Sequence, residues 1–231
     1  MMPEVEGLTL VGVGFLLGLR HALDADHLAA VSTVLAERPS MLASGAVGFW
    51  WGIGHTLTLL LVGSIVLITG LHIPEDFEPL AESGVALLLI ALGGSLAVKV
   101  YRERWHVHGH HHDGAQHVHF HSHQQGDEHH HWHWMADSIR PFGIGMAHGL
   151  AGSAALLLMI LTATHDVGAG LLSIVLFGVG SILGMIVVGV AISVPVILSR
   201  SISHRLFMGV QSLASVASVV IGVWMLVKLA T

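Results

Sequence analysis

Six stretches of this chain, about residues 8–33, 42–71, 80–100, 141–164, 168–197 and 206–229, are long runs of Leu, Val, Ile, Ala and Gly with little charge. Each reaches the roughly 20 residues that a helix needs to cross the hydrocarbon core of a bilayer. Backbone in lipid must satisfy its own hydrogen bonds, which leaves helices and closed barrels as spanning structures. Barrel strands are shorter and alternate apolar with polar residues, and these runs do neither. Only 10% of the residues are charged and the mean hydropathy is +0.76, whereas a soluble domain carries about 25% charged residues. The expected fold class is an all-α integral membrane protein with six transmembrane helices.

The first residues, MMPEVEG, are acidic and lack the basic region of a secretory signal, so the first helix is expected to remain in the mature chain. Cysteine is absent, which excludes disulfides, thiolate metal sites and thiol redox chemistry. Placing the loop between the third and fourth spans in the cytoplasm puts Arg38, Lys99, Arg102, Arg104, Arg140, Arg200 and Arg205 on that side and only Lys228 opposite. The excess of Lys and Arg in cytoplasmic loops therefore predicts a cytoplasmic membrane protein with both termini and the acidic segment 72–82 outside.

The chain also repeats itself. FLLGLRHALDADHLAAV (15–31) aligns with FGIGMAHGLAGSAALLL (142–158), which superposes Gly18 on Gly145 and His21 on His148. WWGIGHTLTLLLVG (50–63) aligns with LFGVGSILGMIVVG (176–189), pairing Gly52, Gly54 and Gly63 with Gly178, Gly180 and Gly189. The offsets are 127 and 126 residues. Each unit holds three helices, an odd number, so the second enters the membrane from the opposite side. That predicts two inverted three-helix repeats, 1–104 and 139–231, joined by a His-rich loop, 105–138. Inverted repeats are a plan of secondary transporters, with the substrate near the midplane between them. GFLLG, GFWWG, GMAHG and GSILG are GxxxG patterns, which let helix backbones approach closely.

Within the first span, RHALDADHLAAV (20–31) carries one arginine, two aspartates and two histidines. A charge at the centre of a spanning helix costs about 2.5–3.5 kcal/mol on insertion scales, so the group needs partners or a function. With histidines neutral, Arg20, Asp24 and Asp26 sum to one negative charge, which a cation would relieve. On a regular helix His21, Asp24 and His27 share an arc of roughly 120°. Asp26 points elsewhere, so it either serves a neighbouring helix or requires an irregular one. His55 and His148 fall at corresponding depths of other spans. Imidazole nitrogens with carboxylates and no thiolate suit Ni, Co, Zn or Cu(II). The candidate metal residues are His21, Asp24, Asp26, His27, His55 and His148. The plainer alternative is an Arg20–Asp24 pair with the histidines bonded to backbone.

HALDADH at 21–27 resembles the HX4DH signature of the nickel/cobalt transporter (NiCoT) family, RHALDADHLAAV its wider form, and GIGHT at 52–56 that family's second-helix motif. The clear matches cover about the first 65 residues and, through GMAHGLAGSAAL, part of the second half. The chain looks like the short six-helix branch linked to urease-type nickel supply, whereas longer members have eight helices. The resemblance implies Ni(II) or Co(II) as transported substrate with no prosthetic group, and a transport role for His21, Asp24, Asp26, His27 and His55. It also implies a cytoplasmic nickel chaperone or urease/hydrogenase maturation factor as a downstream partner; no nucleic-acid partner is expected. Ser153 and Ala154 stand where the repeat would place Asp26 and His27, so the second half offers fewer ligands.

Thirteen of the twenty histidines lie in residues 106–134. His-rich tracts bind metal, which nominates His108, His110, His111, His112, His117, His119, His121, His123, His129, His130, His131 and His133 as loop ligands. The segment is too poor in aliphatic residues to bury a core, and it is expected to lack fixed structure without metal. Uptake is the favoured direction. Efflux by the same route and a membrane-anchored metal sensor or store are the alternatives. No HExxH or P-loop motif is present, which argues against a zinc hydrolase and against ATP hydrolysis by this chain.

Overall fold

The computed structural model describes residues 3–37, 40–71, 74, 76–104, 109–112, 115–118, 134–163 and 166–231. The described residues form seven helices: α1 (Pro3–His21), α2 (Ala25–Glu37), α3 (Met41–Thr69), α4 (Phe77–Arg104), α5 (Trp134–Ala163), α6 (Val167–Ile202) and α7 (His204–Ala230). A small antiparallel hairpin, β1 (Gly109–His112) with β2 (Ala115–Val118), stands in the His-rich segment where no fixed structure is expected. Its backbone register sets His110 opposite His117.

The apolar runs decide where the long helices lie. Met41–Thr69, Phe77–Arg102, Val167–Ile202 and His204–Ala230 are long and apolar enough to cross a membrane. Most helices extend past the apolar runs at one or both ends, because polar ends reach into the headgroup region without breaking the hydrogen-bond ladder. α3 stops at Gly70, whose backbone is left-handed (φ 67°) and whose N–H closes on the Val66 carbonyl at 2.9 Å. Glycine adopts that conformation without steric penalty.

The first expected span departs from the reading: it is two helices rather than one. α1 ends at His21 and α2 restarts at Ala25. Leu23 N–H bonds the Arg20 carbonyl (2.9 Å) and Asp24 N–H the His21 carbonyl (3.0 Å). These i to i−3 bonds keep the interrupted backbone satisfied. The Asp24 carbonyl then accepts the first bond of α2 from Leu28 N–H (3.0 Å), so Asp24 occupies the N-cap position that aspartate favours. A break at this depth is tolerated where it lines a cavity, and this one does.

The helices meet through small residues. α1 packs on α6, α5 on α3, α3 on α6, and α4 on α7. A Cβ added at Gly18 would strike the Phe177 carbonyl of α6, and one at Gly145 the Trp51 carbonyl of α3. Gly180 likewise lies against the Phe15 carbonyl and Gly54 against that of Phe142. On α7, the hydroxyls of Ser215 and Ser218 donate to the carbonyls of Gly93 (2.8 Å) and Leu89 (2.9 Å) on α4. Such close contacts and interhelical hydrogen bonds hold helices together where lipid supplies no hydrophobic drive. The largest buried apolar cluster includes Val31, Leu35, Trp51, Leu89, Leu92, Ile144 and Met185.

Candidate metal centre

His55 is the middle residue of α3, and α1 and α2 meet beside it. The rings of His21 and His27 are 4.7 Å apart between centroids, His21 and His55 5.0 Å, and His27 and His55 5.4 Å. His148, near the middle of α5, adds a fourth ring 5.0 Å from His27. One ligand atom from each of His21, His27 and His55 lies within 4.8 Å of the others. Two nitrogens bound to one ion at about 2.1 Å each are at most about 4.2 Å apart. Small ring movements therefore suffice to bring three imidazoles onto one ion.

The hydrogen bonds orient these rings. His21 Nδ1 lies 2.7 Å from Asp24 Oδ2, His27 Nδ1 3.3 Å from Asp26 Oδ1, and His148 Nδ1 2.9 Å from the Ile144 carbonyl. An ionised carboxylate and a carbonyl can only accept, so in each pair Nδ1 carries the proton and donates. In the neutral ring that leaves the lone pair on Nε2. This is the arrangement in which an outer oxygen fixes a metal-binding histidine's tautomer and raises its basicity. His27 and His148 are each 2% exposed and His55 is fully buried. The Nε2 atoms of His27 and His148, and both ring nitrogens of His55, have no hydrogen-bond partner among the described residues. Burying an unsatisfied polar atom costs about 1–3 kcal/mol, and a cation drawing on those lone pairs removes the cost. Asp26 Oδ2, 4.0 Å from His148 Nε2, adds negative charge at the same point. The carbonyl end of α1, the negative end of its dipole, points the same way.

The six candidate residues therefore divide. His21, His27, His55 and His148 converge, with Asp26 between His27 and His148. Asp24 is half exposed and serves as the hydrogen-bond acceptor of His21. The alternative Arg20–Asp24 pair is not formed; Asp24 bonds His21 instead. Asp26 faces the cluster because the helix is irregular there. Of the loop histidines, His110, His111, His112 and His117 fall in the hairpin strands; His108, His119, His121, His123, His129, His130, His131 and His133 lie outside the described residues.

Two aromatic residues went unnoticed in the sequence. The Trp51 ring lies 5.0 Å from that of His148, and Phe177 lies 5.3 Å from His21. Trp51 sits one helical turn before His55, a spacing that places both on one face of α3. An open cavity of about 690 Å³ reaches the cluster, bounded by His21, Asp24, Asp26, His27, His148 and Phe177 and by residues of α4 and α7.

A family model described as high-affinity nickel-transport protein (NicO) matches residues 7–230. The urease accessory protein UreH of Bacillus sp. (strain TB-90) is 31% identical over 198 residues, which are 86% of this chain and 82% of that protein. The high-affinity nickel transport protein of Cupriavidus necator is 30% identical over 93 residues, 38% of this chain and 25% of its own length. The nickel transporter NicT of Mycobacterium tuberculosis is 40% identical over 68 residues, 26% of this chain and 17% of that protein. No solved structure matches the chain. The family match extends over nearly the whole sequence and includes every residue of the histidine cluster, so the chain belongs to the NicO family of high-affinity nickel-transport proteins.

Proposed function

We propose that the chain carries Ni(II), and Co(II) as a second cargo, into the cell across the cytoplasmic membrane by way of the histidine cluster. Family membership makes metal-ion transport its activity and leaves no catalytic step to assign. The observation that carries the reading is the cluster of imidazoles at mid-depth: His21, His27 and His148 have Nδ1 bonded to oxygen, which leaves Nε2 to bind, and both ring nitrogens of His55 are without a partner among the described residues. The relative named urease accessory protein supports assembly of a nickel enzyme as the destination of the ion, through a cytoplasmic chaperone or maturation factor.

Two inverted repeats, α1–α4 and α5–α7, supply the moving parts, with α1 and α2 together counting as one of six spans. Contacts recurring at the sequence offset support this. Gly18 on Phe177 corresponds to Gly145 on Trp51, Gly180 on Phe15 to Gly54 on Phe142, and Phe177 beside His21 to Trp51 beside His148. The distribution of Lys and Arg favours the α3–α4 end of the bundle as the outside. Alternating access then requires closure at the other end, some 40 Å away by the length of α3. There Arg140 of α5 donates to both carboxylate oxygens of Glu37 on α2, at 2.9 and 3.4 Å, joining the two repeats. We read this pair as an inner latch. Partly exposed ion pairs are worth about 0.2–1 kcal/mol, so Glu37→Arg or Arg140→Glu alone should lower nickel uptake by up to about fivefold. The exchanged double variant should recover it, and a double variant no better than the singles would remove the latch.

Direction is tested by radiolabelled nickel accumulation in cells carrying the chain or an empty vector, with the activity of a co-expressed nickel enzyme as a second readout. Both signals rise for uptake. Nickel depleted below the empty-vector level reverses the direction, and no change in either signal defeats the transport reading.

A further inference from the structure

The cavity above the histidines has a wall that the proposed centre does not use. Glu78 and Glu82, one turn apart on α4, both line it, together with Asp24 and Asp26, against two cations, Arg20 and Lys228. With the histidines neutral, carboxylates outnumber cations two to one. Lys228 Nζ lies 5.8 Å from the Trp224 ring centroid, within reach of a cation–π contact. Neither Glu78 nor Glu82 has an ion-pair or hydrogen-bond partner among the described residues, and both are half-buried. In the first turns of a membrane helix a glutamate has water and headgroups within reach, yet these two face the cavity. The same cavity is also lined by His27 and His148, whose buried Nε2 atoms have no partner among the described residues. The acidic wall and the free imidazoles thus belong to one continuous space.

We propose that Glu78 and Glu82 form a capture site for hydrated divalent cations at the cavity mouth, from which the ion passes to the histidines. The proposal rests on the transport reading and extends it to the step before dehydration. Carboxylate oxygens suit Mg(II), Ca(II) and Mn(II) as well as Ni(II), whereas imidazole favours the later transition metals. The mouth is therefore unselective and the histidine cluster selective. Magnesium competes with nickel at the first station and leaves the second untouched.

The test is initial-rate nickel uptake by cells at low ionic strength, comparing wild type with Glu78→Gln/Glu82→Gln. Focusing of a cation into a charged cleft raises its encounter rate by 10- to 1000-fold and fades with salt, so the double variant should show a KM about tenfold higher with Vmax unchanged. The gap should close as salt rises or millimolar magnesium is added, and Lys228→Gln should shift KM the other way. Size-exclusion profiles of the purified variants verify folding. Should the double variant misfold, Lys228→Gln and the magnesium dependence of wild type decide. An unchanged KM, or a lower Vmax at constant KM, overturns the proposal. If wild type itself moves no nickel, the transport reading fails first. Stopped-flow quenching of tryptophan fluorescence by nickel in purified protein then decides capture separately, since Trp51 adjoins His27 and His148. Loss of the glutamates must slow association about tenfold and leave dissociation unchanged, and equal association rates reject capture.

Discussion

Replacing His27 with alanine should abolish nickel accumulation, while replacing Asp26 with asparagine should weaken nickel binding by about 10- to 100-fold without abolishing it. His27 is the ring common to the cluster, with centroids 4.7 Å from His21, 5.4 Å from His55 and 5.0 Å from His148. Its removal leaves the other imidazoles no shared neighbour and opens a hole in a nearly fully buried position. Asp26 acts differently: its Oδ1 accepts from His27 Nδ1 at 3.3 Å, and the acceptor fixes which nitrogen keeps the lone pair. Asparagine retains an acceptor oxygen but loses the charge that raises the basicity of the ring. Equilibrium dialysis of nickel against purified protein gives the affinities, and radiolabelled uptake gives the flux. His27→Ala with wild-type uptake would move the pathway away from the cluster; Asp26→Asn with unchanged affinity would make the carboxylate a packing group.

Much of this was legible in the chain, because membrane helices announce themselves by length and hydropathy. The expected span 42–71 is α3, and 168–197 and 206–229 lie within α6 and α7. The convergence of His21, His27, His55 and His148 was legible through their equal depth in aligned repeats. The break at 22–24 was not, since helical periodicity assumes a regular helix and no glycine or proline marks the interruption. Its one local sign is Asp24 ahead of an apolar run, an N-cap pattern that looks unpromising in the middle of a span. Asp26 was ambiguous for the same reason: its direction depends on where α2 restarts. Glu78 and Glu82 read as an acidic loop outside the membrane, but α4 begins at Phe77 and carries both against the cavity. That placement depends on how α4 packs on α7 and borders the cavity at the end of α1, which no local pattern encodes.

One chemical change at two positions of α5 should give opposite results. Gly143→Ala places its methyl where nothing lies within 4 Å. It should stabilise the fold by about 0.5–1 kcal/mol, since alanine loses less backbone entropy than glycine on entering a helix. Gly145→Ala, two residues on, drives its methyl into the Trp51 carbonyl, and the Trp51 Cα would lie 3.0 Å away. The obstacle is backbone rather than a side chain free to rotate, so α3 and α5 must separate. Overpacking a tight core costs about 1–3 kcal/mol, and this variant belongs at the upper end. The separation also acts where α3 carries His55 and α5 carries His148, so surviving protein should bind nickel more weakly. Gly18→Ala, against the Phe177 carbonyl, should reproduce the loss at the α1–α6 contact. Thermal unfolding of the purified variants, followed by size-exclusion of a fluorescent fusion, measures the stabilities. Equal melting temperatures for Gly143→Ala and Gly145→Ala would mean that α3 and α5 do not meet backbone to backbone at Gly145. A loss at Gly145 without one at Gly18 would confine the close packing to the α3–α5 contact and weaken the case for two equivalent units rocking against each other.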